Sequence, residues 1–170
     1  METNSLDSIY RKYVKDIFRY LRSLCRDEHA AEVLLQETFY RAYLHLDDCK
    51  EDKIKPWLFR VAYHAFIDYM RKESRSSVYG TDYFQRLADR DTPETAVLRQ
   101  EIWTEIGKVV AGLPDNQRHA ILLYDFHQLS YQEAADIMGI RLSHFKILLF
   151  RARQKLREYE EWRNPDERGF

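Results

Sequence analysis

The fold is decided by residues 130–153, Ser-Tyr-Gln-Glu-Ala-Ala-Asp-Ile-Met-Gly-Ile-Arg-Leu-Ser-His-Phe-Lys-Ile-Leu-Leu-Phe-Arg-Ala-Arg. Ser130, followed three residues later by Glu133, has the pattern of a capping box at a helix start. Gly139 adopts the left-handed backbone of a helix end at little cost, and Ser143 is placed to cap a second helix. This second helix carries apolar residues at helical spacing, namely Phe145, Leu149, Ala152 and Leu156. The stretch predicts a helix-turn-helix, whose second helix enters the major groove of DNA.

The charge of the second helix favours DNA contact over a plain helical hairpin, which could share the same cap, glycine and apolar stripe. Residues 141–157 contain no Asp or Glu and six cations, Arg141, Lys146, Arg151, Arg153, Lys155 and Arg157. An ordinary surface helix mixes both signs, whereas a stripe of one sign is typical of phosphate binding.

Composition predicts an all-α protein of two small helical domains. The chain has 170 residues, of which 45% are hydrophobic and only 5 are Gly and 4 Pro. Its apolar residues follow long helical periodicities without the alternation of strands. Helices are expected over residues 6–25, over 28–46, and from Pro56 to about Lys72, and they close a first domain at 1–74. Ser, Gly and Asp then mark a flexible linker at 75–92, and residues 93–170 form the second domain.

Several function classes lack support in the sequence. Cys25 and Cys49 do not have the spacing of a zinc site, and the six histidines are scattered, so neither a metal nor a cofactor is expected. We find no phosphate-binding glycine loop and no catalytic motif, which argues against an enzyme. Without an apolar leader or a membrane-length apolar run, the sequence predicts a cytoplasmic protein with no membrane insertion.

The third helix of the first domain is basic and aromatic. Residues 53–75 carry six cations against two acids, with five aromatic rings interleaved, Trp57, Phe59, Tyr63, Phe66 and Tyr69. Cations beside rings that can stack on bases are typical of single-stranded nucleic-acid binding. Trp57 shares a face with Val61 and Ala65 and is expected in the core. Tyr63 and His64 fall elsewhere on the helix, where packing and base contact are both open.

The second helix and the turn after it are acidic. Residues 27–52 hold eight acids against two cations. Such a surface repels DNA, so it is expected to face solvent or another protein.

These three surfaces, in this order, resemble the extracytoplasmic-function (ECF) group of bacterial sigma-70 factors. The resemblance extends from about Leu6 to Arg157 and is carried by three stretches, Ala31–Tyr43, Pro56–Lys72, and Leu113–Arg118 leading into Leu129–Arg153. It implies an alternative sigma factor that binds RNA polymerase core, through the β′ clamp and the β flap, and directs promoter-specific transcription initiation. An anti-sigma factor is a further implied partner.

The resemblance also assigns roles to matching positions. The polymerase-binding residues are Gln36, Glu37, Phe39, Arg41 and Tyr43. The residues that open and hold the −10 promoter element are Arg60, Tyr63, His64, Arg71 and Lys72. The −35 element is bound by Arg141, Ser143, His144, Lys146, Arg151 and Arg153.

The chain departs from the family pattern at a few positions. Val33 stands where the family has Asp, His64 where it has Asn, and Ile147 and Leu148 where it has a polar residue and an Arg. An Arg paired with guanine contributes roughly 1–3 kcal/mol of discrimination, and Leu148 cannot form that pair. Three explanations stay open: contact with thymine methyls, inward packing of Leu148 on a slightly rotated helix, or an apolar face for a protein partner.

Two other functions compete with the sigma-factor interpretation. The chain could be a helix-turn-helix regulator that acts without polymerase core and uses residues 1–74 for sensing or dimerisation. It could also be a protein-interaction adaptor whose recognition helix is degenerate, which only Ile147 and Leu148 favour.

Overall fold

The computed structural model describes residues 5–25, 27–49, 51–75 and 105–163. Every regular element in these ranges is a helix or a helical turn, so the predicted all-α fold class is confirmed. The chain divides into two compact units, Met1–Ile102 and Trp103–Phe170. Most of the predicted linker at 75–92 lies outside the described residues, and the exact domain boundaries at 74 and 93 stay predictions.

The described residues of the first unit form three helices, α1 (Leu6–Leu24), α2 (Glu28–Leu44) and α3 (Ile54–Arg75), each in contact with the other two. Side chains satisfy the free amides at two of the helix starts. The Ser5 hydroxyl accepts a hydrogen bond from the Ser8 amide at 3.2 Å, and the Asp27 carboxylate accepts one from the His29 amide at 3.0 Å.

The core of the first unit lies where the three helices meet. Its large buried side chains include Ile17, Phe18, Tyr20 and Leu21 of α1, Leu34 and Phe39 of α2, and Leu58, Phe59 and Phe66 of α3. The rings of Tyr20 and Phe59 meet edge to face with centroids 5.3 Å apart. This packing fixes the side of α2 and α3 that remains at the surface.

Three details of the first unit differ from the sequence prediction. The second helix ends at Leu44, not at 46, and two short 3-10 turns, Leu46–Asp48 and Glu51–Lys53, lead into α3. Helix α3 begins at Ile54, two residues before Pro56. Pro56 is tolerated inside the helix because it lies in the first turn, where backbone amides have no intrahelical acceptor. The helical periodicity of residues 28–46 predicts a partly buried Tyr43, but Tyr43 is exposed, since it lies roughly 100° around the helix from buried Ala42.

Between residues 105 and 163 the second unit contains four helices, α4 (Glu105–Ala111), α5 (Asp115–Ile121), α6 (Tyr131–Met138) and α7 (Leu142–Arg163). The apolar positions from Ala96 to Val110 predict a helix that ends near Gly112, and α4 ends there, at Ala111. Helix α5 continues into a π turn, Leu122–Phe126, which the sequence did not predict. There the His127 amide donates to the Leu122 carbonyl, five residues back, at 2.9 Å.

Helices α6 and α7 form the predicted helix-turn-helix. The Ser130 hydroxyl accepts from the Glu133 amide at 3.0 Å, and the Glu133 carboxylate accepts from the Ser130 amide at 2.9 Å, so the capping box is confirmed. Gly139 has φ 66°, the left-handed conformation expected of it.

The predicted capping role of Ser143 is wrong. The turn after Gly139 needs only Ile140 and Arg141, so α7 begins at Leu142. The Phe145 amide donates to the Arg141 carbonyl at 2.9 Å, which places Arg141 at the cap position. Ser143 lies inside the first turn with its side chain exposed. In the described ranges, no helix combines the length and the apolar character needed to cross a bilayer.

Candidate nucleic-acid and protein interfaces

Helix α7 has one buried side, which packs on the rest of the second unit. Phe145, Leu148, Leu149 and Ala152 lie on this side, and Leu148 is only 7% exposed. Inward packing of Leu148, one of the three explanations for its presence, is therefore what the structure shows.

The opposite side of α7 carries the predicted −35 residues. Ser143, His144, Lys146 and Arg151 are exposed, as is Arg141 just before the helix, and further cations continue at Lys155 and Arg157. The structure therefore leaves five of the six predicted −35 residues accessible, in a stretch whose charged side chains are all cations. Their contact with DNA stays a prediction.

Arg153, the sixth predicted −35 residue, is held by an acid of the same unit. Its Nε lies 2.9 Å and its terminal nitrogen 2.6 Å from the two oxygens of Asp125, and its guanidinium lies 5.2 Å from the centroid of the Tyr124 ring. The pKa of Arg153 is raised, chiefly by this hydrogen bonding to Asp125. One cation of α7 is thus neutralised within the protein.

Two stacked tyrosines connect the contacts of Arg153 with Lys146, near the start of α7. The rings of Tyr124 and Tyr131 are stacked with centroids 4.2 Å apart and planes 10° from parallel. The Lys146 ammonium lies 5.5 Å from the centroid of the Tyr131 ring. Tyr124, Asp125 and Tyr131 could not be identified from the sequence, because no local pattern links residues separated by up to 28 positions.

The predicted −10 residues lie along one exposed side of α3. Arg60, His64, Arg71 and Lys72 are exposed, and separations of four and seven residues place the first three on the same helical face. Tyr63 is half-buried, and its ring centroid lies 5.8 Å from that of His64. Burial raises the pKa of Tyr63. Trp57, expected in the core, is half-buried at its edge.

The predicted polymerase-binding residues divide into exposed and structural ones. Gln36 and Tyr43 are exposed, whereas Phe39 is buried with its ring centroid 4.9 Å from that of Tyr10. Arg41 connects two helices: its Nε lies 2.9 Å from Glu37 on α2 and its terminal nitrogen 3.1 Å from Asp68 on α3. The hydrogen bond with Glu37 is the main cause of the raised pKa of Arg41.

The thiols do not form a metal site in the part of the chain that the structure describes, where no three His, Cys, Asp or Glu side chains are suitably grouped. Cys25 is buried and free, and desolvation raises the pKa of its thiol to about 12. It packs as a small apolar residue.

A helical bundle with a basic face, followed by a helix-turn-helix with a second basic face, defines a class of two-part DNA-binding transcription proteins. Family models place the chain within that class: Sigma-70 region 2 matches residues 9–76 and Sigma-70 region 4 matches residues 103–156. The ECF RNA polymerase sigma factor SigM of Bacillus subtilis (strain 168) is 44% identical over 90% of this chain and 93% of its own length. SigW of the same organism is 32% identical over 86% and 83%.

Two solved structures share the fold. The sigma factor RpoE from Bartonella quintana, in complex with the anti-sigma factor NepR, has a TM-score of 0.67 and 24% identity over 87% of this chain and 93% of that one. CnrH in complex with the cytosolic domain of CnrY has a TM-score of 0.62 and 22% identity over 92% of this chain and 87% of that one.

The chain belongs to the ECF sigma factors of the sigma-70 family. It is an alternative sigma factor that directs transcription. The resemblance stated from the sequence is confirmed, and the competing interpretations as a polymerase-independent regulator or an adaptor lose their support.

Proposed function

We propose that three helices of this sigma factor each bind a different partner: α2 binds polymerase core, α3 holds the −10 element, and α7 binds the −35 element. The observation that carries the proposal is the charge of α7 and the residue before it: all five exposed charged side chains of residues 141–157 are cations, namely Arg141, Lys146, Arg151, Lys155 and Arg157. A duplex with one phosphate charge per about 1.7 Å of axis is the natural counterpart of such a surface.

The exposed side of α3 supports the −10 assignment. Arg60 and Arg71 supply backbone-binding charge, while Tyr63 and His64 present flat rings beside them. Because Tyr63 is half-buried, its ring is held in place before any base arrives, which lowers the entropy cost of stacking.

The exposed side of α2 supports polymerase binding. Gln36 and Tyr43 are joined there by two further exposed side chains, Tyr40 and Leu44. Exposed aromatic and apolar groups on an otherwise acidic helix are typical of protein interfaces. We assign this side of α2 to the β′ clamp and the second unit to the β flap. The protein performs no catalysis itself and works in the cytoplasm.

An anti-sigma factor is a further proposed partner. The structural relative RpoE was solved with such a partner, and CnrH was solved with the cytosolic domain of CnrY. The apolar side chains that α2 exposes are suited to masking by another protein as well as to binding polymerase.

Run-off transcription with purified core polymerase and a pool of genomic promoters tests the proposal. We expect defined transcripts only when core and the full chain are both present.

A double variant, Gln36→Ala with Tyr43→Ala, should reduce capture of core at least tenfold, because both side chains are exposed and neither supports the fold. Lys12→Ala, an exposed change on α1, is the matched control. Promoter binding by the chain without core, unaffected by the double variant, would contradict the assignment.

A further inference from the structure

Ile147 occupies the centre of the outward side of α7. It is two residues from both Phe145 and Leu149, which are buried, so it lies roughly 160° around the helix from each. Its side chain is 49% exposed, and Phe150, three residues later, is 60% exposed. Two large apolar side chains thus stand next to each other on the surface that is proposed to meet DNA.

The surroundings of this apolar pair are cationic. Arg151 lies one turn after Ile147 on the same face, Lys146 lies beside it, and Ser143 lies one turn before it. Residues 141–157 contain no acid. This charge is complementary to a polyanion, so duplex DNA, rather than another protein, is the occupant that the surface favours.

Between Lys146 and Arg151, residues 147–150 of α7 are all apolar and carry no side-chain hydrogen-bonding group. Leu148 is buried, and neither Ile147 nor Phe150 can donate a hydrogen bond to guanine. In the major groove, thymine differs from the other bases by an apolar 5-methyl group, and apolar side chains discriminate by contact with it.

We infer that Ile147 and Phe150 recognise thymine methyl groups in the −35 element, in place of polar contacts to guanine. The inference rests on the proposed role of α7. The cations around the pair hold the phosphates and fix the helix in the groove, and the two apolar side chains then exclude water from the methyl groups. Cytosine at the same position offers no methyl group and leaves its amino group facing an apolar surface.

Replacement of thymine by deoxyuridine tests this inference, because it removes the methyl group and leaves the base-pairing groups in place. Holoenzyme assembled from core polymerase and the full chain first selects binding sites from a duplex library that is randomised across both promoter elements. Each thymine of a selected −35 element is then replaced singly by deoxyuridine. We expect one or two positions to lose about fourfold in affinity each, as for one buried methyl group.

Paired variants assign the effect to the two side chains. In Ile147→Ala combined with Phe150→Ala, thymine and deoxyuridine duplexes should bind equally well. Phe126→Ala is the matched control, since Phe126 is an exposed apolar residue of the same unit outside α7, and it should retain the difference.

Other outcomes separate the two proposals. If the wild-type holoenzyme selects −35 elements without thymine, or binds deoxyuridine duplexes as tightly as thymine duplexes, methyl recognition is overturned while the sigma-factor role stands. If the double variant loses core capture instead, methyl recognition is overturned and the apolar pair is a protein contact. If the holoenzyme selects no −35 element at all, the proposed role of α7 itself fails.

Discussion

Arg153 and Asp125 form a two-point ion pair that fastens α7 to the π turn before α6. The two nitrogen–oxygen distances are 2.9 and 2.6 Å, and the partners are 28 residues apart in sequence. Such parallel contacts favour one orientation of the guanidinium. The pair supports the orientation of α7 that apolar packing sets, with Leu148 facing inward and Ile147 outward.

Asp125→Ala is expected to destabilise the second unit by about 1 kcal/mol. The figure is modest because both side chains are about one-third exposed, at 31% and 37%, and solvent screens the pair. Urea denaturation of the full chain, followed by circular dichroism, measures the change. Glu158→Ala removes an exposed acid from α7 and serves as the control. If the two substitutions lowered the free energy of unfolding equally, the ion pair of Asp125 with Arg153 would contribute nothing to the stability of the second unit.

Arg41→Ala should lower the free energy of unfolding by about 1 kcal/mol, because Arg41 links α2 to Asp68 on α3. Gln36→Ala, on the exposed side of the same helix, should change it by less than about 0.5 kcal/mol. Thermal denaturation of both variants makes the comparison. If Arg41→Ala left stability unchanged yet abolished capture of core, Arg41 would be a direct contact and not a structural link.

Lys146→Glu combined with Arg151→Glu should weaken promoter binding by the holoenzyme without unfolding the chain, because both side chains are exposed. Loss of two phosphate contacts should reduce the slope of log affinity against log salt concentration by about 1.8. The same two charge reversals at Lys12 and Lys15 on α1 provide a control of equal charge. An unchanged slope in the α7 variant would count against the assigned DNA-binding side.

Gly139→Ala should cost about 1 kcal/mol of stability, through backbone strain alone. The φ of Gly139 is 66°, which disfavours a side chain, while a Cβ there would meet no atom within 4 Å. Gly112→Ala is the matched substitution, because its Cβ would meet carbonyl oxygens at ordinary distances of 3.5 and 3.7 Å. Thermal denaturation should therefore show a loss for Gly139→Ala and little change for Gly112→Ala.

The stability of the chain should fall as the pH drops below 6.5, through His119. Burial, followed by the nearby charge of Arg118, lowers the pKa of His119 from 6.5 to about 4 in the folded state. Between these values the unfolded chain binds a proton that the folded chain excludes, so folding loses on the order of 2 kcal/mol by pH 5. Above pH 6.5 the penalty is absent.

Urea midpoints measured from pH 7.5 to 5 provide the test of the histidine effect. His119→Gln should flatten the pH dependence, whereas His144→Gln, at an exposed position, should retain it. A decline that is equally steep in both variants would assign the effect to other groups.

Local signals predicted the helix-turn-helix almost completely. Ser130, Glu133 and Gly139 act through backbone groups at most four residues away, so their sequence spacing determines the capping box and the helix end. Ser143 was placed wrongly by the same logic, because a turn of two residues between Gly139 and Leu142 leaves the cap position to Arg141.

Non-local contacts could not be predicted in the same way. The apolar stripe of α7 includes Leu148, and only packing within the second unit shows that Leu148 lies inside it while Ile147 does not. The ion pair of Asp125 with Arg153 depends on the π turn, which has no signature in the sequence. Likewise, the resemblance marked Arg41 as a polymerase-binding residue, and no local pattern indicated that Asp68 of α3 pairs with it.

The π turn constrains chain length more than residue identity. It holds one more residue per hydrogen-bonded ring than an α turn, so its backbone geometry depends on the number of residues in Leu122–Phe126. The contacts of Tyr124 with Tyr131 and of Asp125 with Arg153 both start from this segment. Point substitutions there alter individual contacts, whereas an insertion or deletion would shift Tyr124 and Asp125 against their partners together.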